Sequence, residues 1–471
     1  MSIDAPVGDP NVGNPYLSGL HAPVLDELDV AELDVTGQIP GALEGVYMRN
    51  GANPAFPPIG RYHLFDGDGM IHAVELAGGR AVYRNRFVES AGLVLERREQ
   101  RAVFGGLGQF VMPPPEVVDE VGLMKNTANT NVVRHAGRYL ALMEAAKPTE
   151  LTRDLATVGE FDFLGMLAGP MTAHPKWDPA TGELLFFGYS PVPPFLRFHV
   201  ADANGVLVRS VDVELPRPVM MHDFVVTADH VVFFDLPAVF ELESMLAGGV
   251  PIRWDAGLPA RVGVMPRDAS TEPAWFELEP FYVFHFLDAF SETTADGRVR
   301  VVIHGCRADR MPVAFGDDAL VETAPPRLHR WIVDLDAGRI DEDAVDERPG
   351  DFPRGNDWWP TRRRYGYVAR SAWTEADDIR FTAVAKHDLQ TGTIQVHDYG
   401  VHAHAGEAVF APDPDGVTED DGWLLNFVTD QQTGRTDLVI VDARDVEAEP
   451  VARVHMPRRV PFGFHGNWMP D

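Results

Sequence analysis

Four histidines lie at the edges of apolar, strand-like segments: His174, His222, His285 and His465. His222 begins the first strand of a predicted hairpin, Pro218 to Pro237, in which two apolar runs flank a short turn. Burying an imidazole without a hydrogen bond or a metal costs about 1–3 kcal/mol. A single histidine in such a place is usually a hydrogen-bonded core residue. Because the same context occurs four times, the sequence favours a shared metal site.

These histidines are far apart in the chain, unlike the ligands of a local zinc motif. A metal bound by them requires a fold that returns separate strands to one axis, as a β-propeller does. Imidazole suits zinc, copper, iron and nickel. Four neutral ligands leave the charge of a divalent cation unbalanced, so nearby carboxylates are expected to accept the second ring N–H of each ligand. Glu144 and Glu407, two acidic residues within apolar runs, are the candidates.

The other histidines offer weaker signals. His402 and His404 would share one face of a strand, but their polar surroundings favour a solvated loop. His63 and His72 flank Asp66-Gly-Asp-Gly69, which predicts a hairpin turn, and the oxygen ligands of a calcium loop are absent downstream. Surface or strand-end positions are expected for His304, His329, His387, His397 and His455.

Many short apolar runs alternate with turns along the chain, which indicates a sandwich, barrel or propeller. Three similar segments, 178–184, 333–340 and 387–394, each predict a strand, a tight turn and a strand, as in the blades of a propeller. The predicted fold class is therefore all-β, a propeller capped on one face by loops and short helices. The expected helices are Pro115 to Met124 and Val239 to Leu246.

Residues 1–22 are rich in proline, glycine and asparagine and are predicted to form an N-terminal arm. No long linker divides residues 23–471, which favours a single domain over two.

The composition excludes several classes of function. The net charge of −31, from 71 acidic and 40 basic residues, argues against a nucleic-acid partner and gives no polybasic signal for acidic lipids. Cys306 is the only cysteine, so an internal disulfide is impossible, which fits a reducing cytosol. The N-terminus lacks a signal-peptide pattern, and no run of about 18 apolar residues could span a bilayer. We expect a cytoplasmic protein with no obligate protein partner.

The chain resembles the carotenoid cleavage oxygenases, a family that also includes stilbene-cleaving enzymes and a retinoid isomerase. The resemblance rests on several phrases that run from residue 14 to the end in the order of the family. These phrases are Asn14-Pro-Tyr-Leu-Ser-Gly19, Gly45-Val-Tyr-Met-Arg-Asn-Gly51, Tyr62-His-Leu-Phe-Asp-Gly-Asp-Gly-Met-Ile-His72, Thr172-Ala-His-Pro175, Met221-His-Asp-Phe224, Phe284-His-Phe286, Gly406-Glu407 and Phe464-His-Gly466.

The resemblance implies a seven-bladed propeller with one Fe(II) per chain on its axis. The family's iron-ligand positions correspond to His174, His222, His285 and His465. Glu144 and Glu407 fall on two of the three carboxylates that hold these ligands. Asp351, in Asp351-Phe-Pro-Arg354, stands where the family has a glutamate. Aspartate is one methylene shorter, and a water could bridge the gap to its histidine.

The implied reaction is insertion of O₂ across a conjugated C=C bond of a lipophilic polyene, which gives two carbonyl products. The protein would supply the iron, an apolar tunnel and positioning, without a side-chain nucleophile. A non-redox isomerase or hydrolase acting on a retinoid-like ester is an alternative, because the same ligands occur there. A propeller scaffold with structural histidines is a further alternative.

The resemblance also bears on the substrate. Stilbene- and phenylpropanoid-cleaving members carry a lysine before the residue matched by Glu144 and a tyrosine in a Phe-Gly-x-Tyr-like phrase, and both contact the 4-hydroxyl. Met143 and Phe104-Gly-Gly-Leu107 replace them here. Because an unpaired buried hydroxyl costs about 1–3 kcal/mol, the sequence favours a carotenoid or apocarotenoid. Lys147 could reach in from the same loop, which leaves a stilbene as the alternative.

Peripheral membrane contact is a further hypothesis. The apolar segment Val239 to Gly249 could form a lip that extracts a lipid-soluble substrate from a membrane. A helix packed on the propeller would explain the same composition.

Overall fold

The computed structural model describes residues 10–249, 251–311, 325–360, 362–373 and 379–471. In these residues six sheets have four to seven strands and one has two. The long strand Arg339–Arg354 pairs in two parts and divides the seven-stranded sheet into two four-stranded units, so seven blades of four or more strands follow one another along the chain as in a propeller. The predicted all-β, seven-bladed fold is confirmed.

Blade 1 joins the two ends of the chain. In order of pairing, its strands are Asp29–Val30, Arg80–Phe87, Met70–Ala77, Gly45–Arg49 and Gly466–Pro470. The C-terminal strand pairs antiparallel with Gly45–Arg49, with Gly466 opposite Arg49. Since this pairing closes the ring of blades, it also fixes the segment that precedes Gly466.

The other blades follow the order of the chain, and Val35–Gly37 adds the outermost strand of blade 7. The strands are Asn131–His135, Arg138–Leu142, Thr149–Leu151 and Thr157–Glu160 in blade 2; Lys176–Trp177, Leu184–Tyr189, Leu196–Ala201 and Leu207–Val213 in blade 3; Val225–Val226, His230–Asp235, Ala260–Pro266 and Ala274–Leu278 in blade 4; Tyr282–Thr293, Val299–Ala308, Arg327–Asp334 and the first part of Arg339–Arg354 in blade 5; the last part of Arg339–Arg354, Tyr365–Trp373, Ile379–Asp388 and Ile394–Asp398 in blade 6; and Ala403–His404, Val409–Pro412, Gly422–Asp430, Thr436–Asp442 and Ala452–His455 in blade 7.

Strands near the middle of a blade are buried on both faces, which explains their continuous apolar sequences. All six residues of Leu184–Tyr189 are buried, whereas the outer strand Leu207–Val213 has exposed residues at alternate positions along part of its length. Neighbouring blades pack through large rings: Phe198 of blade 3 lies 6.0 Å from Phe233 of blade 4, centroid to centroid. Each fully buried side chain of this size contributes about 1.5–3 kcal/mol to folding.

Three α-helices occur in the described residues: Ala91–Glu99, Pro115–Glu120 and Leu242–Leu246. Residues from all three segments, or beside them, line one large cavity. The helix predicted from Pro115 is shorter than expected, and the helix Ala91–Glu99 was not predicted. None of these helices is long and apolar enough to cross a bilayer.

The segment predicted as a helix from Val239 is partly wrong. Ala238–Phe240 is a strand that pairs with Ile252–Trp254, and the helix is confined to Leu242–Leu246. β-branched Val239 and aromatic Phe240 suit a strand, and the pairing satisfies their backbone groups. We call the residues 238–249 and 251–254 the flap.

Asp66-Gly-Asp-Gly69 does not form the predicted hairpin turn. The Asp66 carboxylate accepts the backbone N–H groups of Leu107 and Gly108, at 2.6 and 3.1 Å. Asp68 pairs with Lys125 at 2.6 Å, and Lys125 also pairs with the buried Glu96 at 2.5 Å. Both carboxylates therefore tie the segment before the strand Met70–Ala77 to the cap.

The expected solvated loop is wrong for His404, which is buried in a short strand. A surface or strand-end position is wrong for His304, which is buried inside a strand. His387 and His397 lie next to strand ends, as expected, but are buried as well. His304 and His387 hydrogen-bond to Asp288 and Asp346, at 2.8 and 2.9 Å. Their acidic partners are distant in the chain, so local sequence gave no sign of burial.

Residues 10–22 of the predicted arm lie against the cap and the last blade. The Asn14 side-chain amide donates to the carbonyl oxygen of Tyr62 at 2.9 Å, and Arg459 donates to that of Leu20 at 2.8 Å. Several residues of this segment form a wall of the large cavity.

Candidate metal centre

The structure brings the four predicted histidines together from four blades. His174 and His222 precede the first strands of blades 3 and 4. His285 lies within the first strand of blade 5, and His465 immediately precedes the C-terminal strand. One candidate ligand atom from each imidazole lies within 4.8 Å of those of the others, and all four residues are buried. Remote parts of the chain thus deliver four nitrogen donors to one point.

Three carboxylates orient three of these rings. Glu144 accepts from His222 Nδ1 at 2.5 Å, and Glu407 accepts from His465 Nδ1 at 2.9 Å. Asp351 accepts from His285 Nδ1 at 2.9 Å. Because an ionised carboxylate only accepts hydrogen bonds, each imidazole places its proton on Nδ1 and its lone pair on Nε2.

Asp351 reaches His285 directly, so no bridging water is needed despite the shorter side chain. The strand is irregular here: its register against the next strand shifts between Asp351 and Arg354, and Phe352 has a φ of 52°. Bulges of this kind redirect side chains next to functional sites. The Phe352 backbone N–H also donates to the same Asp351 oxygen at 2.8 Å, which fixes the carboxylate.

A further layer of donors holds the two glutamates. The Tyr189 hydroxyl donates to Glu144 at 2.6 Å. Glu407 accepts hydrogen bonds from the Gly466 N–H at 3.0 Å and from the Arg354 guanidinium at 3.1 Å. We did not identify Tyr189 and Arg354 from the sequence. Arg354 ends the phrase that contains Asp351, whereas Tyr189 ends an apolar run with no sign of a polar role.

Electrostatics favour neutral imidazoles at His174 and His465 and an ionised carboxylate at Glu407. Burial lowers the pKa of His465 to about 4, and it lowers the pKa of His174 well below its usual value. Burial opposes ionisation of Glu407, but Arg354 and His465 outweigh it and hold the pKa at about 2. At His285 burial also disfavours the charged form, yet Asp351 outweighs it and raises the pKa. A more basic imidazole is a better donor to a metal.

The arrangement fits a cation. His222 Nε2, a lone-pair position, lies 2.9 Å from His174 Nε2. The buried His285 Nε2 has no hydrogen-bond partner in the described part of the chain. A buried polar atom without a partner is costly, and a cation bound at this nitrogen would supply one. The donor set of four imidazole nitrogens therefore suits a transition-metal ion.

The local charge balance agrees with a divalent ion. Beside the three carboxylates, Asp357 pairs with Arg354 at 2.7 Å and with Arg363 at 3.0 Å. The four carboxylates exceed the two guanidinium groups by two charges, which a divalent cation would neutralise.

A cavity of about 2100 Å³ leads to the histidines. Next to the site its wall is aromatic: the Phe284 ring lies 5.0 Å from His222 and the Phe352 ring 4.9 Å from His285, centroid to centroid. Such an apolar, concave wall suits a hydrophobic ligand.

Comparisons with known proteins agree with this site. A family model described as Retinal pigment epithelial membrane protein matches residues 21–470. The chain belongs to this family, the carotenoid cleavage oxygenases. The carotenoid cleavage oxygenase of Mycobacterium tuberculosis is 36% identical over 97% of this chain and 98% of its own length. The carotenoid 9,10(9',10')-cleavage dioxygenase of Crocus sativus is 35% identical over 96% of this chain and 88% of its own.

Solved structures of other carotenoid cleavage oxygenases share the fold. The lignostilbene dioxygenase of Pseudomonas brassicacearum has a TM-score of 0.89 and 28% identity, covering 97% of this chain and 99% of its own. A variant of the Synechocystis apocarotenoid oxygenase has a TM-score of 0.85 and 29% identity, covering 95% and 97%. A cobalt-substituted form of that oxygenase has a TM-score of 0.83, 29% identity and the same coverage.

The contact between Asp351 and His285 can be tested by metal binding. Replacing Asp351 with alanine removes the acceptor that fixes the tautomer of His285, so we expect affinity for Co(II) or Fe(II) to fall roughly 10- to 100-fold. Anaerobic titration followed by metal analysis measures this. The matched control is Asp343→Ala, which removes an exposed carboxylate paired with Arg330 on the outside of blade 5. Equal affinities for the two variants would contradict the assigned role.

Proposed function

We propose that the protein is a non-haem Fe(II) dioxygenase that cleaves a C=C bond of a carotenoid or apocarotenoid with O₂ and gives two aldehyde products. One observation carries the proposal: four buried imidazoles, three of them oriented by carboxylates, converge at the wall of a large apolar cavity. Family membership and the dioxygenase relatives support the same reaction.

Each group of residues has a role in this reaction. Bound Fe(II) supplies the redox chemistry with O₂ that no protein side chain provides. The four histidines would hold the ion. The carboxylates keep the Nε2 lone pairs of His222, His285 and His465 directed toward it. Phe284 and Phe352 exclude water and hold the polyene against the site, so the protein contributes mainly positioning.

The cavity wall favours a polyene over a phenolic stilbene. Met143 and Leu107, which replace the phenol-binding lysine and tyrosine of the stilbene-cleaving members, both line the cavity. Lys147 pairs with Glu160 at 3.1 Å and is not part of the described wall. A buried phenol would therefore lack both partners. Stilbene cleavage stays the second candidate, because the fold is very similar to that of a lignostilbene dioxygenase.

We further propose that the protein is cytoplasmic and takes its substrate from a membrane surface. Leu242 and Met245 of the flap line the cavity, and the neighbouring Leu246 is 45% exposed. Val12 and Met124 also line the cavity and are 83% and 42% exposed. Exposed apolar side chains around a cavity mouth are suited to insertion between lipid headgroups.

The reaction class is tested with ¹⁸O₂. Iron-loaded protein and a panel of carotenoids and apocarotenoids should give aldehydes that carry the label, read by mass spectrometry. The purified protein should hold about one iron per chain, and His222→Ala should lose both iron and activity because one of four donors is removed. Unlabelled products from an active preparation would instead indicate a non-redox isomerase or hydrolase. Full iron content in His222→Ala would exclude the proposed centre.

The substrate class is tested by restoring the missing phenol partners. The wild type should cleave a 4-hydroxystilbene poorly, and Met143→Lys combined with Leu107→Tyr should raise kcat/KM for it roughly 10- to 100-fold, since each restored hydrogen bond contributes about 0.5–1.5 kcal/mol. Cleavage of a carotenoid by the double variant serves as the control for folding. Efficient cleavage of hydroxystilbenes by the wild type would reverse the substrate assignment.

A further inference from the structure

Among the residues that the structure describes, one cation in the cavity wall has no counter-ion. Arg310 lines the cavity and is half-buried, and its Nε atom is fully buried. Its Nε forms no hydrogen bond in the described residues, and Arg310 pairs with none of the described carboxylates. The adjacent Asp309 pairs with Arg307 instead, at 2.6 Å. This lack of a partner is unexpected in a chain with 71 acidic and 40 basic residues.

The other cations of the wall differ from Arg310. Lys125 is paired with two carboxylates, and Arg253 of the flap is paired with Glu241 and Asp255, at 2.8 and 3.0 Å. Arg459 donates to the backbone carbonyl oxygens of Leu20 and Ala22. Arg61 is exposed. Arg310 is thus the cavity cation whose guanidinium is left to interact with a ligand.

Strand register gives its distance from the histidines. Ala308 lies opposite Tyr282, three residues before His285, and Arg310 follows two residues after Ala308. At about 3.3 Å per residue, Ala308 lies roughly 10 Å from His285 along the strand direction, and Arg310 lies in the bend that follows the end of this strand. This is a suitable separation between the reacting bond and the end of an elongated substrate.

A second polar atom lies in the same region of the wall. Ser371 Oγ is buried, lines the cavity and has no hydrogen-bond partner in the described residues. Ser371 follows Arg370, which lies opposite Gly350 on the neighbouring strand. The Gly350 N–H donates to the carbonyl oxygen of Pro326. Gly350 and Pro326 line the cavity as well. Pro326 precedes Arg327, which lies opposite Arg307, so Arg310 and Ser371 lie on nearby segments of the wall and offer a guanidinium and a hydroxyl.

We propose that Arg310 binds the terminal carboxylate of the substrate, so that the preferred substrate is an apocarotenoid with an acidic end group. A planar guanidinium binds a carboxylate with two parallel hydrogen bonds, which fixes orientation as well as affinity. Anchoring one end at a set distance from the histidines selects which C=C bond lies at the metal. The inference rests on the proposed function and specifies the polar end of its substrate.

The test compares an apocarotenoic acid with its methyl ester, which has the same polyene without the charge. The wild type should favour the acid in kcat/KM roughly 10- to 100-fold, as expected for a charge-assisted hydrogen bond. Arg310→Met should lose most of this preference, and Arg310→Lys should retain part of it because the charge remains. Binding to iron-free protein, followed by quenching of tryptophan fluorescence, should show the same pattern. The control Arg253→Met, whose guanidinium is already paired, should keep the wild-type ratio.

Equal kcat/KM values of the wild type for the acid and the ester would overturn the proposal. An unchanged acid-to-ester ratio in Arg310→Met would overturn it as well. Hexadecanoate provides a carboxylate without a polyene. If it binds as tightly as the polyene acid and only when Arg310 is present, the site is a fatty-acid site and the substrate assignment is wrong. Absence of cleavage of both polyenes would count against the proposed function, whereas the binding ratio would still decide the role of Arg310.

Discussion

Three hydrogen bonds from imidazole Nδ1 atoms to carboxylates determine the geometry of this protein's central site. They fix the tautomer of His222, His285 and His465 and direct their Nε2 lone pairs toward one point. The propeller makes these contacts possible, because this fold brings strands from remote parts of the chain to a common axis. The C-terminal strand, which completes blade 1, also holds His465 in place, because the next residue, Gly466, pairs with Arg49.

The surroundings divide into a charged layer and an apolar layer. Arg354 and Arg363 partly neutralise the carboxylates on the side away from the cavity. The negative charge that remains can be balanced by a divalent ion. On the cavity side, aromatic rings contact the imidazoles and keep water away. A metal in this position would be held by the four imidazoles, whereas a hydrophobic ligand beside it would be held mainly by the shape of the cavity.

Much of the fold and of the site could be predicted from the sequence. Continuous apolar runs such as Leu184–Tyr189 predicted inner strands correctly because burial on both faces leaves a clear pattern. The recurring context of the four histidines, with the order of the family phrases, led to the same residues that the structure groups. The direct reach of Asp351 could not be predicted, because it depends on a local bulge. The role of Tyr189 and the burial of His387 were not predicted, because their partners Glu144 and Asp346 are distant in the chain.

Anomalous diffraction at the iron absorption edge, from crystals of the iron-loaded protein, would locate the metal relative to the four histidines. We expect one strong peak about 2.1 Å from a ring nitrogen of each of His174, His222, His285 and His465, the usual length of an imidazole–metal bond. A peak bound by fewer than these four residues, or one elsewhere in the molecule, would contradict the proposed metal centre.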